Sequence, residues 1–161
     1  IAGCRLVALE RPPWKPQAGD RWQAAASIQD AVNALAGPAS RIFLAIGRLN
    51  LDAFAVHQQH HYLLRLVDPP LAPVPFRNVT TIIDRGPFRL QSDLALLQSH
   101  AIGRVVAKNA GGEGASSKIL AARQLGLEIV MIERPVIPPR PVLASVPEVM
   151  RWLGHGADLG V

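Results

Sequence analysis

Lys108, Asn109, Gly111 and Gly112 fall within one short turn, Lys108-Asn109-Ala110-Gly111-Gly112-Glu113-Gly114, whose chemistry is that of anion binding. Lys108 brings a charge and Asn109 an amide donor. The glycines let backbone N–H groups approach a phosphate or carboxylate with no Cβ in the way. The same glycines would also serve a tight turn. Ser116, Ser117 and Lys118 follow where a helix should begin, either to cap it or to touch a ligand. The spacing is neither a Walker A loop nor the dinucleotide fingerprint. Two further segments pair glycine with arginine: Gly47-Arg48 and Asp84-Arg85-Gly86-Pro87-Phe88. Each arginine taken singly fits a solvated surface charge as well. Arg65 lies inside an apolar run and either reaches the ligand edge or forms a structural ion pair. His57, His60 and His61 have no interleaved carboxylate or cysteine, so no metal site is expected. No Gly-x-Ser-x-Gly elbow or activated-cysteine motif supports nucleophilic catalysis.

The elements that must carry these residues alternate between strand and helix. Val105-Val106-Ala107 reads as a strand and the turn at Lys108 follows it. Ile119 to Leu125 gives a helical stripe closed by Gly126, and Ile129 to Ile132 a second buried strand. This is a parallel crossover unit, in which the loop after the first strand faces ligand. Further strands are expected at Cys4–Leu9, Arg41–Ile46, Tyr62–Val67 and Val79–Ile83, and helices at Ile28–Leu35, Leu51–Val56, Gln91–His100 and Val146–Leu153. Trp14–Trp22, Pro69–Pro75 and Pro138–Pro141 read as loops. The expectation is a Rossmann-like α/β fold: an open parallel sheet with helices on both faces. Three strand-end loops bearing Gly with Arg or Lys would then meet on its carboxyl edge, where such sheets bind ligands.

Composition narrows the partners. A net charge of +5 suits acidic ligands, whereas an aromatic content of 5% argues against a base-stacking RNA module. No nucleic-acid motif is present. No apolar run reaches the roughly 18 residues that span a bilayer. Cys4 stands alone, so no internal disulfide is possible, and a buried thiol in a reducing cytoplasm is expected.

An internal echo runs through the chain. Gly3-Cys4-Arg5-Leu6-Val7-Ala8-Leu9-Glu10-Arg11-Pro12 parallels Gly126-Leu127-Glu128-Ile129-Val130-Met131-Ile132-Glu133-Arg134-Pro135. Either the fold was duplicated or two buried strands both end at proline. Duplication implies a further lobe upstream. Residues 1–15 would then be a strand and linker leaving that lobe, and 16–161 a C-terminal Rossmann-like lobe. Glu10-Arg11 and Glu133-Arg134 are expected as ion pairs at strand ends.

Several stretches together resemble the precorrin-6A reductases of cobalamin biosynthesis. They are Leu9-Glu10-Arg11-Pro12-Pro13-Trp14, Arg41 to Arg48, Arg85-Gly86-Pro87-Phe88, Ala107 to Gly112, and Lys118 to Arg123. The resemblance covers nearly the whole chain, as the C-terminal portion of the family's sequence. It implies one lobe of a two-lobe cytoplasmic enzyme. Such an enzyme binds NADPH and an anionic tetrapyrrole, delivers hydride to carbon 19 and adds a proton at carbon 18, giving precorrin-6B. Substrate contacts are implied at Arg48, Arg65, Arg85, Lys108, Asn109, Gly111, Gly112, Ser116, Ser117 and Lys118. Nucleotide contacts are implied at Gly47, Arg48, Gly86, Lys108 and Asn109. Lys118 or water would give the proton. Two departures stand out: the family usually has serine at Ala110 and a threonine in the region of Ser116 or Ser117, and its N-terminal glycine-rich segment is absent. This stretch alone is therefore expected to show little or no reductase activity. The rival reading is a non-catalytic nucleotide- or anion-binding lobe.

Overall fold

The computed structural model describes residues 5–157, so the expected strand position of Cys4 and its thiol lie outside the described residues. The main body is a six-stranded sheet, parallel throughout. Its strands are β2 (Arg21–Ala25), β3 (Arg41–Ala45), β4 (His61–Leu66), β5 (Val79–Ile83), β6 (Arg104–Lys108) and β7 (Glu128–Ile132), in spatial order β2-β7-β6-β3-β4-β5. Alternation along the strands sorts side chains onto two faces. Ile42, Leu44, Tyr62, Leu64, Val106 and Val130 join one core, beneath α1 (Ile28–Asn33) and α2 (Leu51–Phe54). Phe43, Leu63, Val105, Ala107, Ile129 and Met131 join the other, beneath α3 (Leu90–Ser99) and α4 (Ser117–Gln124). The expected α/β architecture, with a parallel sheet covered on both faces, is what the chain adopts.

The order of the strands creates the site. From β3 the chain steps outward to β4 and β5, then returns through α3 to β6 on the other flank of β3. From β6 it steps the opposite way to β7. The adjacent strands β3 and β6 therefore mark a topological switch point, and the loops that follow them leave in opposite directions.

Two parts depart from the sequence reading. The segment read as a loop up to Trp22 contains the start of β2, an edge strand paired only to β7. Its mostly exposed Arg-Trp-Gln-Ala-Ala lacks the apolar run that marks the central strands. The expected Cys4–Leu9 strand shrinks to β1 (Ala8–Leu9), which does not join the main sheet. It pairs in parallel with β8 (Val142–Leu143), and α5 (Val146–Ala157) follows β8. Two residues per strand are too few to read as a periodic signal.

The histidines are engaged locally. His60 is fully buried, its Nε2 2.8 Å from the Leu35 carbonyl and its Nδ1 accepting from the Ser40 N–H at 3.1 Å. Burial lowers its pKa. His57 Nε2 meets the Val32 carbonyl and His61 Nε2 the Thr80 hydroxyl, both at 2.9 Å.

Candidate active site

The cations singled out in the sequence share one rim. Arg48 follows β3, Arg65 lies near the end of β4, Arg85 follows β5, and Lys108 ends β6. Two neighbouring cavities, of about 150 and 170 Å³, open there and share Gly47, Arg65 and Val67. Phe43, Ala45, Asp84, Phe88 and Lys118 line the first, and Arg48 and Asp68 the second. Gly47 has φ +75°, and among the described residues nothing beyond its chain neighbours lies within 4 Å of where a Cβ would stand, so its backbone is open on that side. Arg48 and Lys108 are exposed and form no ion pair among the described residues. Arg85 pairs with Asp68, both well exposed, an arrangement worth no more than about 1 kcal/mol and easily exchanged for a ligand carboxylate.

Beneath the rim lies a buried polar cluster. The Arg65 side chain is 8% exposed and its Nη1 donates to Asp93 Oδ1; Asp93, in α3, is fully buried. Both options left open for Arg65 are thus realised at once: it forms a structural ion pair and it lines the cavity. Its guanidinium carbon lies 3.7 Å from the centre of the Phe88 ring. Ser117 Oγ donates to the other Asp93 oxygen at 2.6 Å. Ser117 therefore supports Arg65 through Asp93, and Ser116 Oγ bonds the Glu113 carbonyl at 2.8 Å. Lys118 Nζ donates to the Ala115 carbonyl at 2.7 Å and lies 5.1 Å from the centre of the Trp14 ring. Burial, reinforced by the nearby Arg65 charge, lowers its pKa to about 8 against a partial pull upward from Asp93.

The glycine turn serves the chain itself more than open space. Asn109 is buried, and its amide both accepts from the Trp14 N–H at 2.9 Å and donates to the Trp14 carbonyl at 3.0 Å. It donates also to Glu133. A Cβ on Gly111, at φ +67°, would stand 2.3 Å from the Pro12 carbonyl oxygen; one on Gly112 would meet Arg11. The close approach that the glycines permit is therefore to the Arg11-Pro12 segment. Arg134 closes the other side, donating to the Asn109 and Ala110 carbonyls at 2.9 Å. The Glu-Arg pairs expected in sequence do not form: Glu10 pairs with Arg140, Glu133 accepts from Asn109, and Arg134 binds carbonyls. Gly86 sits exposed before Phe88 on the same rim.

Residues 1–154 match the family described as precorrin-6x reductase CbiJ/CobK. The chain belongs to the precorrin-6x reductase family. It is 51% identical over 96% of its length to a precorrin-6A reductase of Rhodobacter capsulatus, spanning 62% of that protein. It is 42% identical over 95% of its length to the corresponding protein of a Sinorhizobium species, spanning 59% of it. A solved CobK precorrin-6A reductase superposes with a TM-score of 0.89 at 50% identity, covering 92% of this chain and 59% of that one. The chain thus spans about three-fifths of the length of these relatives.

In this member of the family, sequence reading missed Asp93 and the part of Asp84 in lining the cavity, and gave Trp14 no role. Asp93 carried a legible signal. It occupies a position of the apolar stripe of α3, three residues after Leu90 and four before Leu97, where a carboxylate must have a buried partner. Trp14 had none, because its partners lie 95 and 98 residues away.

Proposed function

We propose that this chain forms the catalytic rim of an NADPH-dependent precorrin-6A reductase. The observation that carries the reading is the pair of cavities at the carboxyl ends of β3, β4 and β5, lined by Gly47, the cations Arg48 and Arg65, and a lysine whose pKa is lowered to about 8. A nucleotide fits this donor set: Gly47 and Gly86 offer close backbone approach, and Arg48 and Lys108 offer charge for phosphates. Bound NADPH would supply the hydride. Arg65 and Arg85, with Arg48 and Lys108, would hold the acetate and propionate arms of precorrin-6A. Asn109, Gly111, Gly112, Ser116 and Ser117 shape the loop and the buried cluster behind these groups. Lys118, on the cavity wall, is the proton source that completes reduction to precorrin-6B.

The small β1–β8 sheet and the exposed Leu9, Val142, Met150 and Leu153 around it are read as the docking face for a second lobe of the same protein. Residues 1–15 and the segment after β7 would then be the connections between lobes. Reduction by this stretch alone is not expected.

The test is precorrin-6A-dependent oxidation of NADPH by the full-length protein. Turnover is expected, and NADPH binding without any turnover would favour a sensing lobe instead. In the same assay, Arg48→Ala and Lys108→Ala should each weaken ligand binding about tenfold to a hundredfold with kcat little changed. This is the loss expected when a charge-assisted hydrogen bond of about 1.5–3 kcal/mol is removed. Unaltered apparent affinity for both ligands in both variants would remove these residues from the site.

A further inference from the structure

Trp14 sits in a proline-rich segment packed against the second core, and its hydrogen-bond partners lie 95 and 98 residues away. Its backbone N–H and C=O are matched by the two ends of the Asn109 amide, at 2.9 and 3.0 Å. Its indole Nε1–H donates to the Gly112 carbonyl at 2.7 Å. Those three bonds fix the position of the residue and the plane of its ring. The next group along is Lys118, whose ammonium lies 5.1 Å from the ring centre, within range of a cation–π contact. A tryptophan needed only to fill space against the second core would not require both backbone groups and the ring nitrogen to be pinned by one loop.

We propose that Trp14 is the positioning residue for Lys118: the glycine turn holds the indole, and the indole holds the ammonium at the cavity wall and keeps water from it. The proposal rests on the reading of Lys118 as proton source but is testable apart from it. An ammonium has three donors. One goes to Ala115 and one side faces the indole, which leaves capacity for the cavity that Lys118 lines. The charged groups around it are Arg65 of β4, Asp93 of α3 and, on the same cavity, Asp84 after β5. Farther out, Glu133 after β7 is bonded to Asn109, and Lys108 is exposed at the end of β6.

Two effects of the ring oppose each other. Its face favours the charged lysine, and its bulk excludes the water that the charge prefers. Burial is the largest influence on the Lys118 pKa, above the charges of Arg65 and Asp93, and the ring contributes to that burial. Removing the ring should therefore let the lysine titrate higher, not lower.

The experiment is the titration of Lys118 in the full-length protein, followed without ligands by NMR of the lysine side chains and assigned with Lys118→Met. It is run for the parent, Trp14→Phe and Trp14→Leu, with kcat against pH recorded beside it. Trp14→Leu should raise the midpoint by about one unit, carry the basic limb of kcat upward with it, and lower kcat more than it raises KM. Trp14→Phe keeps an aromatic face but not the N–H and should fall between the two. If either folded variant leaves the Lys118 midpoint where it is in the parent, the proposal is overturned, whatever happens to turnover. If instead the midpoint moves as stated while Lys118→Met turns over normally, the positioning stands and the proton-source reading falls.

Discussion

Asp93→Ala is expected to cost about 3–5 kcal/mol of folding stability, because it leaves the buried Arg65 guanidinium without its carboxylate. The replaced group is fully buried and accepts from two side chains, Arg65 and Ser117, so both lose their partner together. Phe43 and Phe88 pack about the guanidinium, so water can reach it only from the cavity side. Against a domain stability of about 5–15 kcal/mol, the loss takes a large share of the total. Urea unfolding of the variant and its parent measures it. The double replacement Arg65→Met with Asp93→Leu should recover most of the loss, since an apolar pair can replace a buried ion pair nearly without cost. It should nevertheless abolish tight substrate binding, because Arg65 also lines the cavity. A loss below about 1 kcal/mol in Asp93→Ala would mean that the pair is hydrated and contributes little.

Lys118→Met is expected to lower kcat by about 10²–10⁴-fold, the usual contribution of a positioned acid. The pH dependence gives a sharper signature. Lys118 gives up its proton at about pH 8, so the donating form is complete below that pH and lost above it. The parent kcat should be level at neutral pH and fall about tenfold per unit beyond the midpoint. The methionine variant should lack this limb. Stability should move the other way. Between about pH 8 and the ordinary lysine range, the unfolded chain binds more protons than the folded one, so stability rises with pH across that window. At pH 7 the parent therefore bears the full cost of a buried ammonium. The methionine variant is relieved of it and should unfold at the same or higher urea concentration. Retention of kcat within about threefold would assign the proton to solvent.

The architecture was legible where strands are central. β3, β6 and β7 are built on continuous apolar runs, and β4 on one interrupted by Arg65, because both their faces are covered, and each ends at a recognisable stop. Once those ends are known, the shared rim of Arg48, Arg65, Arg85 and Lys108 follows from the parallel pairing alone. What could not be read is pairing over distance. Gly111 and Gly112 look the same in sequence whether they face a phosphate or the Pro12 carbonyl. Asn109 looks like a ligand donor because nothing nearby in sequence claims its amide. Edge strand β2 was hidden for a different reason: with one neighbour and mostly exposed side chains, it needs no apolar pattern. The Glu10 and Glu133 pairings failed because each carboxylate has a better partner brought in from another segment, Arg140 in one case and Asn109 in the other.

The central claim is that the reacting ligands meet at the carboxyl rim, between the ends of β3, β4 and β5 and the start of α4. Amide hydrogen exchange of the full-length protein, with and without NADP⁺ and a polycarboxylated tetrapyrrole, tests it most directly. Protection is predicted at residues 46–48, 66–68, 84–88 and 113–118. Protection confined to the opposite rim, around residues 38–41, 100–104 and 126–128, with the carboxyl rim unchanged, would contradict it.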